Sequence, residues 1–551
     1  MGSPFRFALW TESRIQFGMT FDMKISRSTH NTHNTHCIRN THRTGGAGGI
    51  RNTHNTHRTG THRDRGARLW RAGALTLASL ALTGTAGAQA AAAKRPNVLL
   101  VMADQWRAQA TGYAGDTNAR TPNLDSFAAR SLNFTHAVSV TPVCSPYRAA
   151  LLTGQFAMSN GMLANDLDFK PAVPTLGEVF KAAGYATGYV GKWHLFGGGR
   201  RNFIPADKRF GFDHWKVMNC THDYNNSDYW PEEPAMQRWQ GYDAFAQTDS
   251  ALAFMEGAVK QGKPFLCVLA WGPPHSPYHT APAEHRALFN DPAKLTLRDN
   301  VPDGDRQKAR EALAGYYAHC SALDKSLGDI IARLEKLGAL DNTIVIFTSD
   351  HGDMLYSHGH TAKSRPYDES IRVPFLMHCP RSMSAPRVID EPLTTPDIMP
   401  TLLDMCGIAA PGTCEGRSFY KVITGAETTL GGAALFAWPV TRPAYQLNEY
   451  HGIRTARHTY VEEIAGAWLL FDNQEDPFQL VNLANKPEHA ALQAALKARL
   501  DAARKAAGDE FLPEKNYLER FNIAPEKLRE PGEKSARKKT SAKKSPEKKK
   551  R

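Results

Sequence analysis

NVLLVMAD, residues 97–104, carries six consecutive apolar residues between Asn97 and Asp104, and Gln105 follows. An unbroken apolar run of this length reads as a strand buried on both faces, as in a parallel sheet. The pattern returns in ATGYVGKWH (186–194), PFLCVLAWGPPH (264–275) and TIVIFTSDHGD (343–353). Each run ends in residues of catalytic type: Asp104 and Gln105, Lys192 and His194, His275, and Asp350 with His351. Between them, TLGEVFKAAG and SALDKSLGDIIARLEKLG repeat apolar residues at three- and four-residue spacing and read as amphipathic helices. Strands alternating with helices from 95 to 410 give the α/β class. Ligands of open α/β sheets bind outside the carboxyl ends of the strands, so four such ends point to one site.

Taken singly, Asp104 reads as a helix cap and His275 as a satisfied loop histidine. Together, Asp104, Gln105, Asp350 and His351 are a ligand set for a divalent cation. Oxygen dominance points to Ca²⁺, and the imidazole leaves room for Mn²⁺. Lys192, Lys363 and Arg148 add positive charge that suits such a site only if an anionic substrate comes between. In TPVCSPYRAALLTGQ (141–155), Pro146 suits the first turn of a helix, residues 149–152 carry it on, and Gly154 stops it. Cys144 thus stands at a helix N-terminus with Arg148 one turn along, a place for a thiolate or a bound oxyanion. Alone, it reads first as a small packed thiol.

At 551 residues the chain has length for two or more structural units. Its formal charge of +13 comes from its ends. Residues 1–71 hold 12 Lys and Arg against 3 Asp and Glu, and 526–551 hold 12 against 4, leaving 43 basic and 47 acidic residues between. Such a body offers no nucleic-acid-binding surface. Residues 1–65, with seven histidines from His30 to His62 in an Asn-Thr-His repeat, read as a disordered extension from a misassigned start. Residues 66–93 have a basic beginning, a short apolar stretch and Ala-x-Ala cleavage candidates at 86–90, the pattern of a signal peptide. The stretch is short for a membrane span, so an exported, periplasmic or extracellular protein without stable membrane insertion is expected. Cys406 and Cys414, flanking a Gly/Pro-rich loop, are the expected bridge among eight cysteines.

A catalytic domain is expected over 94–430. Beyond it AALFAWPV, YHGIRTARHTYVEE and AWLLFDNQEDP read as short strands and PEHAALQAALKARLDAARKA as a helix, a smaller α+β subdomain over 431–512. Residues 513–551 read as a basic disordered tail, a solvated extension or a tether to an acidic surface.

The Cys144-Ser145-Pro146-Tyr147-Arg148 pattern before AALLTG resembles the signature of the type I sulfatase family, of alkaline-phosphatase-like fold. GYVGKWHL, PPHSPY, SDHGDMLYSHG, DIMPTLLDMCGI and FDNQEDPFQLVNL resemble further family blocks in the family's order, over residues 95–510. The resemblance implies a central mixed sheet flanked by helices. It implies that a formylglycine-generating enzyme oxidises Cys144 to formylglycine, whose hydrate attacks sulfur. It also implies that Asp104, Gln105, the residue at 144, Asp350 and His351 hold Ca²⁺, with Mn²⁺ or Mg²⁺ as alternatives. Arg148 would stabilise the attacking oxygen, and Lys192, Lys363 and His275 would hold the sulfate. His275 would protonate the leaving oxygen and His194 would deprotonate the second hydroxyl. Ser145 and Tyr147 have no firm role.

Gln105 and His351 stand where many members have aspartate and asparagine. That resembles the branch holding phosphonate and phosphate monoesterases along with many bacterial sulfatases. Phosphonate or phosphate monoester hydrolysis and broad arylsulfatase activity are therefore the alternatives to a sulfated carbohydrate. The carbohydrate is favoured because an exported enzyme meets glycans, and residues 202–230 are rich in Trp, Tyr, Asn, Asp and His, which stack on and bind sugars. There His222, Asp223 and Asn225 are the expected substrate contacts, although the segment also reads as a surface insertion. A silent glycan-binding protein would need no nucleophile, which sets that class aside.

Overall fold

The apolar run at 97–104 becomes the centre of an eight-stranded mixed sheet in the computed structural model, which describes residues 94–442 and 446–528. The extension 1–65, the expected signal peptide 66–93 and the basic end beyond 528 lie outside the described residues. The sheet's strands, in chain order, are β1 (Asn97–Asp104), β2 (Leu132–Phe134), β3 (Ala186–Lys192), β4 (His214–Met218), β5 (Phe265–Pro274), β6 (Thr343–Ser349), β7 (Phe375–His378) and β8 (Arg387–Ile389). Their spatial order is β8-β2-β7-β6-β1-β5-β3-β4. β1 pairs in parallel with β5 and β6, β3 in parallel with β5 and β4, and β7 runs antiparallel to β6.

Alternation along β1 explains its unbroken apolar sequence. Val98, Leu100 and Met102 enter one core, and Leu99, Val101 and Ala103 enter the other, on the opposite face. Helices cover both faces. Among them α1 (Cys144–Thr153) ends at Gly154 in the left-handed conformation, φ +67°, as the sequence predicts. α2 (Asp243–Lys260) lies against β3 and β5. α3 (Arg306–Lys336) starts fifteen residues before the stretch read as helical. Gly315 obscures its first half in the sequence. In the fold that glycine lets Tyr278 approach, since a Cβ would stand 2.5 Å from the Tyr278 carbonyl oxygen.

The late strand-like stretches form an antiparallel meander of β9 (Ala433–Trp438), β10 (Tyr450–Thr455), β11 (His458–Glu463) and β12 (Gly466–Asp472), followed by α4 (Ala490–Ala506). YHGIRTARHTYVEE folds as the β10–β11 hairpin.

Two expectations are corrected. The tail expected from 513 gives way to a further helix, α5 (Glu514–Arg520). Its Tyr517 and Leu518 are buried, and Phe521 and Ile523 pack on the main core, because FLPEKNYLERFNI carries enough apolar surface to dock. Cys406 and Cys414 are free thiols, as are all seven cysteines of the described residues. Cys414 Sγ faces the Thr153 carbonyl at 3.8 Å, whereas Cys406 packs beside Tyr185. Among the described residues no helix is long and apolar enough to cross a membrane.

Candidate active site

Parallel β3, β5, β1 and β6 are neighbours, so their carboxyl ends meet at one edge of the sheet. That edge gathers Lys192 from β3, His275 after β5, Asp104 from β1, and Asp350 with His351 after β6. α1 brings Cys144 there as its first residue. Asn165 Oδ1 accepts from the Ser145 N–H at 2.9 Å and fixes that helix end, while Ser145 Oγ donates to the His194 carbonyl at 2.6 Å.

The Cys144 sulfur is 3.4 Å from Lys192 Nζ, 3.4 Å from Lys363 Nζ and 3.3 Å from His351 Nε2. Burial and Asp104 oppose ionisation of the thiol, but Lys192, Lys363 and His351 outweigh them and hold it well below the usual thiol range. Arg148, fully buried, donates through Nη2 to Asp104 Oδ2 at 3.2 Å and Asp350 Oδ2 at 2.9 Å. Lys192 Nζ reaches Asp104 Oδ2 at 2.5 Å. Burial raises Asp104, yet Lys192, His275, Lys363 and Arg148 bring it well below the usual carboxylate range. Asp350, buried and facing the Asp104 charge, is pushed up.

Donor atoms of Asp104, Cys144, Asp350 and His351 all lie within 4.8 Å of one another. His351 Nδ1 faces the Gly352 carbonyl at 3.0 Å, which aims the Nε2 edge of the ring at this group. Two carboxylates and one oriented imidazole, buried together, fit a divalent cation. Gln105 adjoins the group through its amide oxygen, which accepts from Lys363 Nζ at 3.0 Å.

His194 donates through Nε2 to Asp166 Oδ1 at 3.2 Å. Burial alone would lower its pKa; Cys220 and Asp166 raise it to about 10, so in this form the ring keeps its proton. His275 is the reverse. Its Nδ1 faces the Ser276 carbonyl at 2.8 Å, and burial together with Lys363 holds the ring well below its ordinary range, in the neutral form. A cleft of about 400 Å³ opens over Cys144, Lys192, Lys363 and His275. Of the three expected substrate contacts, His222 lines it, stacked on His275 with centroids 4.3 Å apart. Asp223 and Asn225 do not: the Asn225 amide donates to the Thr280 carbonyl at 2.8 Å, and Asp223 accepts from the Asn225 N–H at 3.4 Å.

The Sulfatase family model matches residues 96–408, and the C-terminal model of N-sulphoglucosamine sulphohydrolase matches 357–506. The chain belongs to the sulfatase family. An ulvan-active sulfatase of Formosa agariphila is 40% identical over 433 residues, 78% of this chain and 84% of the relative. An endo-4-O-sulfatase of Bacteroides thetaiotaomicron is 31% identical, over 71% of this chain and 88% of its own. The solved structure of BT4656 in complex with its substrate, D-glucosamine-2-N,6-O-disulfate, superposes with a TM-score of 0.69 at 26% identity, covering 76% of this chain and 99% of that one.

Residues that sequence reasoning missed complete this sulfatase's site. Asp353 accepts from Gln105 Nε2 at 2.7 Å and from the Tyr278 hydroxyl at 2.5 Å, fixing which face Gln105 turns to Lys363. It sits in the SDHGD run, where its spacing from Asp350 was the available signal. Asp166 holds His194 and is itself gripped by Arg200, with Nε at 2.8 Å and Nη2 at 2.6 Å. The NDLD stretch at 165–168 marks a polar turn in the sequence without saying what it faces.

Proposed function

We propose that this sulfatase hydrolyses a sulfate ester on a sulfated carbohydrate, with Cys144 converted to formylglycine and a divalent cation held by Asp104, Gln105, residue 144, Asp350 and His351. The observation that carries the reading is the Cys144 sulfur lying within 3.4 Å of two lysines and an imidazole, beside paired buried carboxylates. Once oxidised and hydrated, residue 144 supplies an oxygen nucleophile where the thiol stands. The cation, Ca²⁺ by donor type with Mn²⁺ or Mg²⁺ as alternatives, supplies Lewis-acid charge at the attacked sulfate.

The chain's own residues do the remainder. Lys192 and Lys363 flank position 144 and bind the sulfate oxygens, offsetting negative charge as it shifts to the leaving oxygen. Arg148 keeps Asp104 and Asp350 in place. A bound sulfate would counter the Lys363 charge felt by His275, the second cause after burial that keeps the ring neutral, and His275 lines the cleft where a proton must reach the leaving oxygen. His194, protonated beside Asp166 in the thiol form, acts as a base only after surrendering that proton. Replacing the thiolate character of Cys144 with a neutral aldehyde removes one group that holds the proton there.

The relatives' substrates, ulvan and a glucosamine disulfate, support a carbohydrate. We further propose export to the periplasm or beyond, on the signal-like residues 66–93.

The deciding experiment joins two measurements on protein made with a formylglycine-generating enzyme. The mass of tryptic peptide 131–148 should show the aldehyde at 144, and inorganic sulfate should be released from ulvan or glycosaminoglycans. Hydrolysis of phenylphosphonate monoesters without sulfate release would install the phosphonate monoester reading instead. An unmodified thiol in active enzyme would remove formylglycine from the mechanism.

A further inference from the structure

Arg107 lies two residues beyond Gln105 and is only 3% exposed. Its Nε has no hydrogen-bond partner, no described acceptor takes a bond from its guanidinium, and no described carboxylate is within ion-pair reach. The carboxylates whose charge it feels are Asp116, Glu369 and Asp353, the last held by Gln105 and Tyr278, and none of the three forms an ion pair with it. Asp116 accepts from the Asn118 N–H at 2.9 Å and from the Tyr317 hydroxyl. Glu369 Oε1 accepts from Arg298 Nε and Asn300 Nδ2, each at 2.7 Å. An arginine is always charged, and a buried charge without a partner is costly, so this one is poised for an anion.

The guanidinium opens on a cavity of about 270 Å³, whose lining also includes Gln109, Thr117, Asn118, Arg298 and the carboxylate of Asp116, which is held by the Asn118 N–H and the Tyr317 hydroxyl. It shares no lining residue with the catalytic cleft. A space of this size admits a small tetrahedral ion. We propose that this cavity is a second anion site, taking an inorganic oxyanion, sulfate or phosphate, on Arg107. The inference does not depend on the substrate proposed above. It does bear on the active site: the Arg107 N–H donates to the Tyr316 hydroxyl at 2.9 Å, and that hydroxyl donates to the Gln105 carbonyl at 3.0 Å. The backbone of Arg107 is thus joined through Tyr316 to the turn that carries Gln105.

The test is a titration of the thermal midpoint with sodium sulfate, sodium phosphate and, at matched ionic strength, chloride, using full-length Lys363→Ala enzyme to weaken binding in the catalytic cleft. A saturable rise with sulfate or phosphate, absent with chloride, is expected; the stronger of the two identifies the ion. Arg107→Met should weaken it at least about tenfold, the loss of a charge-assisted contact. Thr117→Trp, a change at the exposed rim, should block the cavity and abolish the rise, which keeps the test decisive should Arg107→Met fail to fold. Crystals soaked in selenate should show anomalous density beside Arg107. A chloride response equal to that of sulfate, or an undiminished sulfate response in Thr117→Trp, would overturn the proposal.

Discussion

Three groups at 3.3–3.4 Å from one sulfur set the chemistry at residue 144, and each can be removed singly. Cys144→Ala should lower kcat/KM by at least about a thousandfold, because no other group stands at the focus of the two lysines. Lys363→Met should cost about a hundredfold to a thousandfold in sulfate-ester turnover with little change in thermal midpoint, since Lys363 is only part-buried. Steady-state rates on a sulfated glycan and a melting curve check both; equal losses of rate and fold would mean the residues are structural. Asp243, in the first turn of α2, tests burial alone. One carboxylate oxygen accepts from Ser227 Oγ at 2.9 Å, the other has no partner, and burial pushes the group up to about 8. Between the ordinary carboxylate value and about 8, the folded state holds a proton that the unfolded chain has released, so stability falls as pH rises through that window and levels off above it. Asp243→Asn should flatten that slope and stabilise the enzyme most at pH about 8. Urea midpoints at pH 5 and 8 that differ as much in the variant as in the parent would refute it.

Individual elements were legible wherever their information was local. β1 matches its reading at both ends, because a strand buried on both faces needs only its own apolar run to declare itself, and a strand end carrying Asp104 beside others carrying Lys192, His275 and Asp350 declares a site. What stayed hidden depends on partners far along the chain. Gln105 is oriented by Asp353, 248 residues away, Ser145 by Asn165, and Arg107 is defined by what it lacks. Asp223 and Asn225 shared a suggestive composition with His222, yet the backbone turns them off the cleft. Gly191 shows the same dependence within a strand. It precedes Lys192 with φ +106°, and a Cβ there would stand 2.1 Å from the Ala270 carbonyl oxygen on β5. Gly191→Ala should therefore cost about 2–4 kcal/mol and displace Lys192, lowering kcat/KM as well. Urea unfolding and turnover should fall together; a variant of unchanged stability would show that β3 can shift freely.

At the scale of the whole molecule, the segment carrying Lys363 is tied to the antiparallel meander by a buried ion pair that sequence reading did not anticipate. Asp368 accepts from Arg454 Nε at 3.1 Å and Nη2 at 3.2 Å, from Arg372 Nη1 at 3.0 Å, and its N–H donates to Gln479 Oε1 at 2.9 Å. Burial would raise the carboxyl, but Arg454 and Arg372 outweigh it and hold the group well below its usual range. A carboxylate depressed by folding adds stability above its unfolded pKa of about 4 and loses it as pH falls toward the folded value. Asp368→Asn leaves Arg454 buried without its counter-charge, which costs about 3–5 kcal/mol at neutral pH. The variant should also lose less stability than the parent as pH drops below about 4, because the titrating group is gone. Arg454→Met/Asp368→Leu, which removes both charges, should recover much of the loss. If the double variant is no better than Asp368→Asn, the pair's value lies in its hydrogen bonds to β10 and Gln479 rather than in charge balance, and the meander is held to the catalytic sheet chiefly by its apolar face.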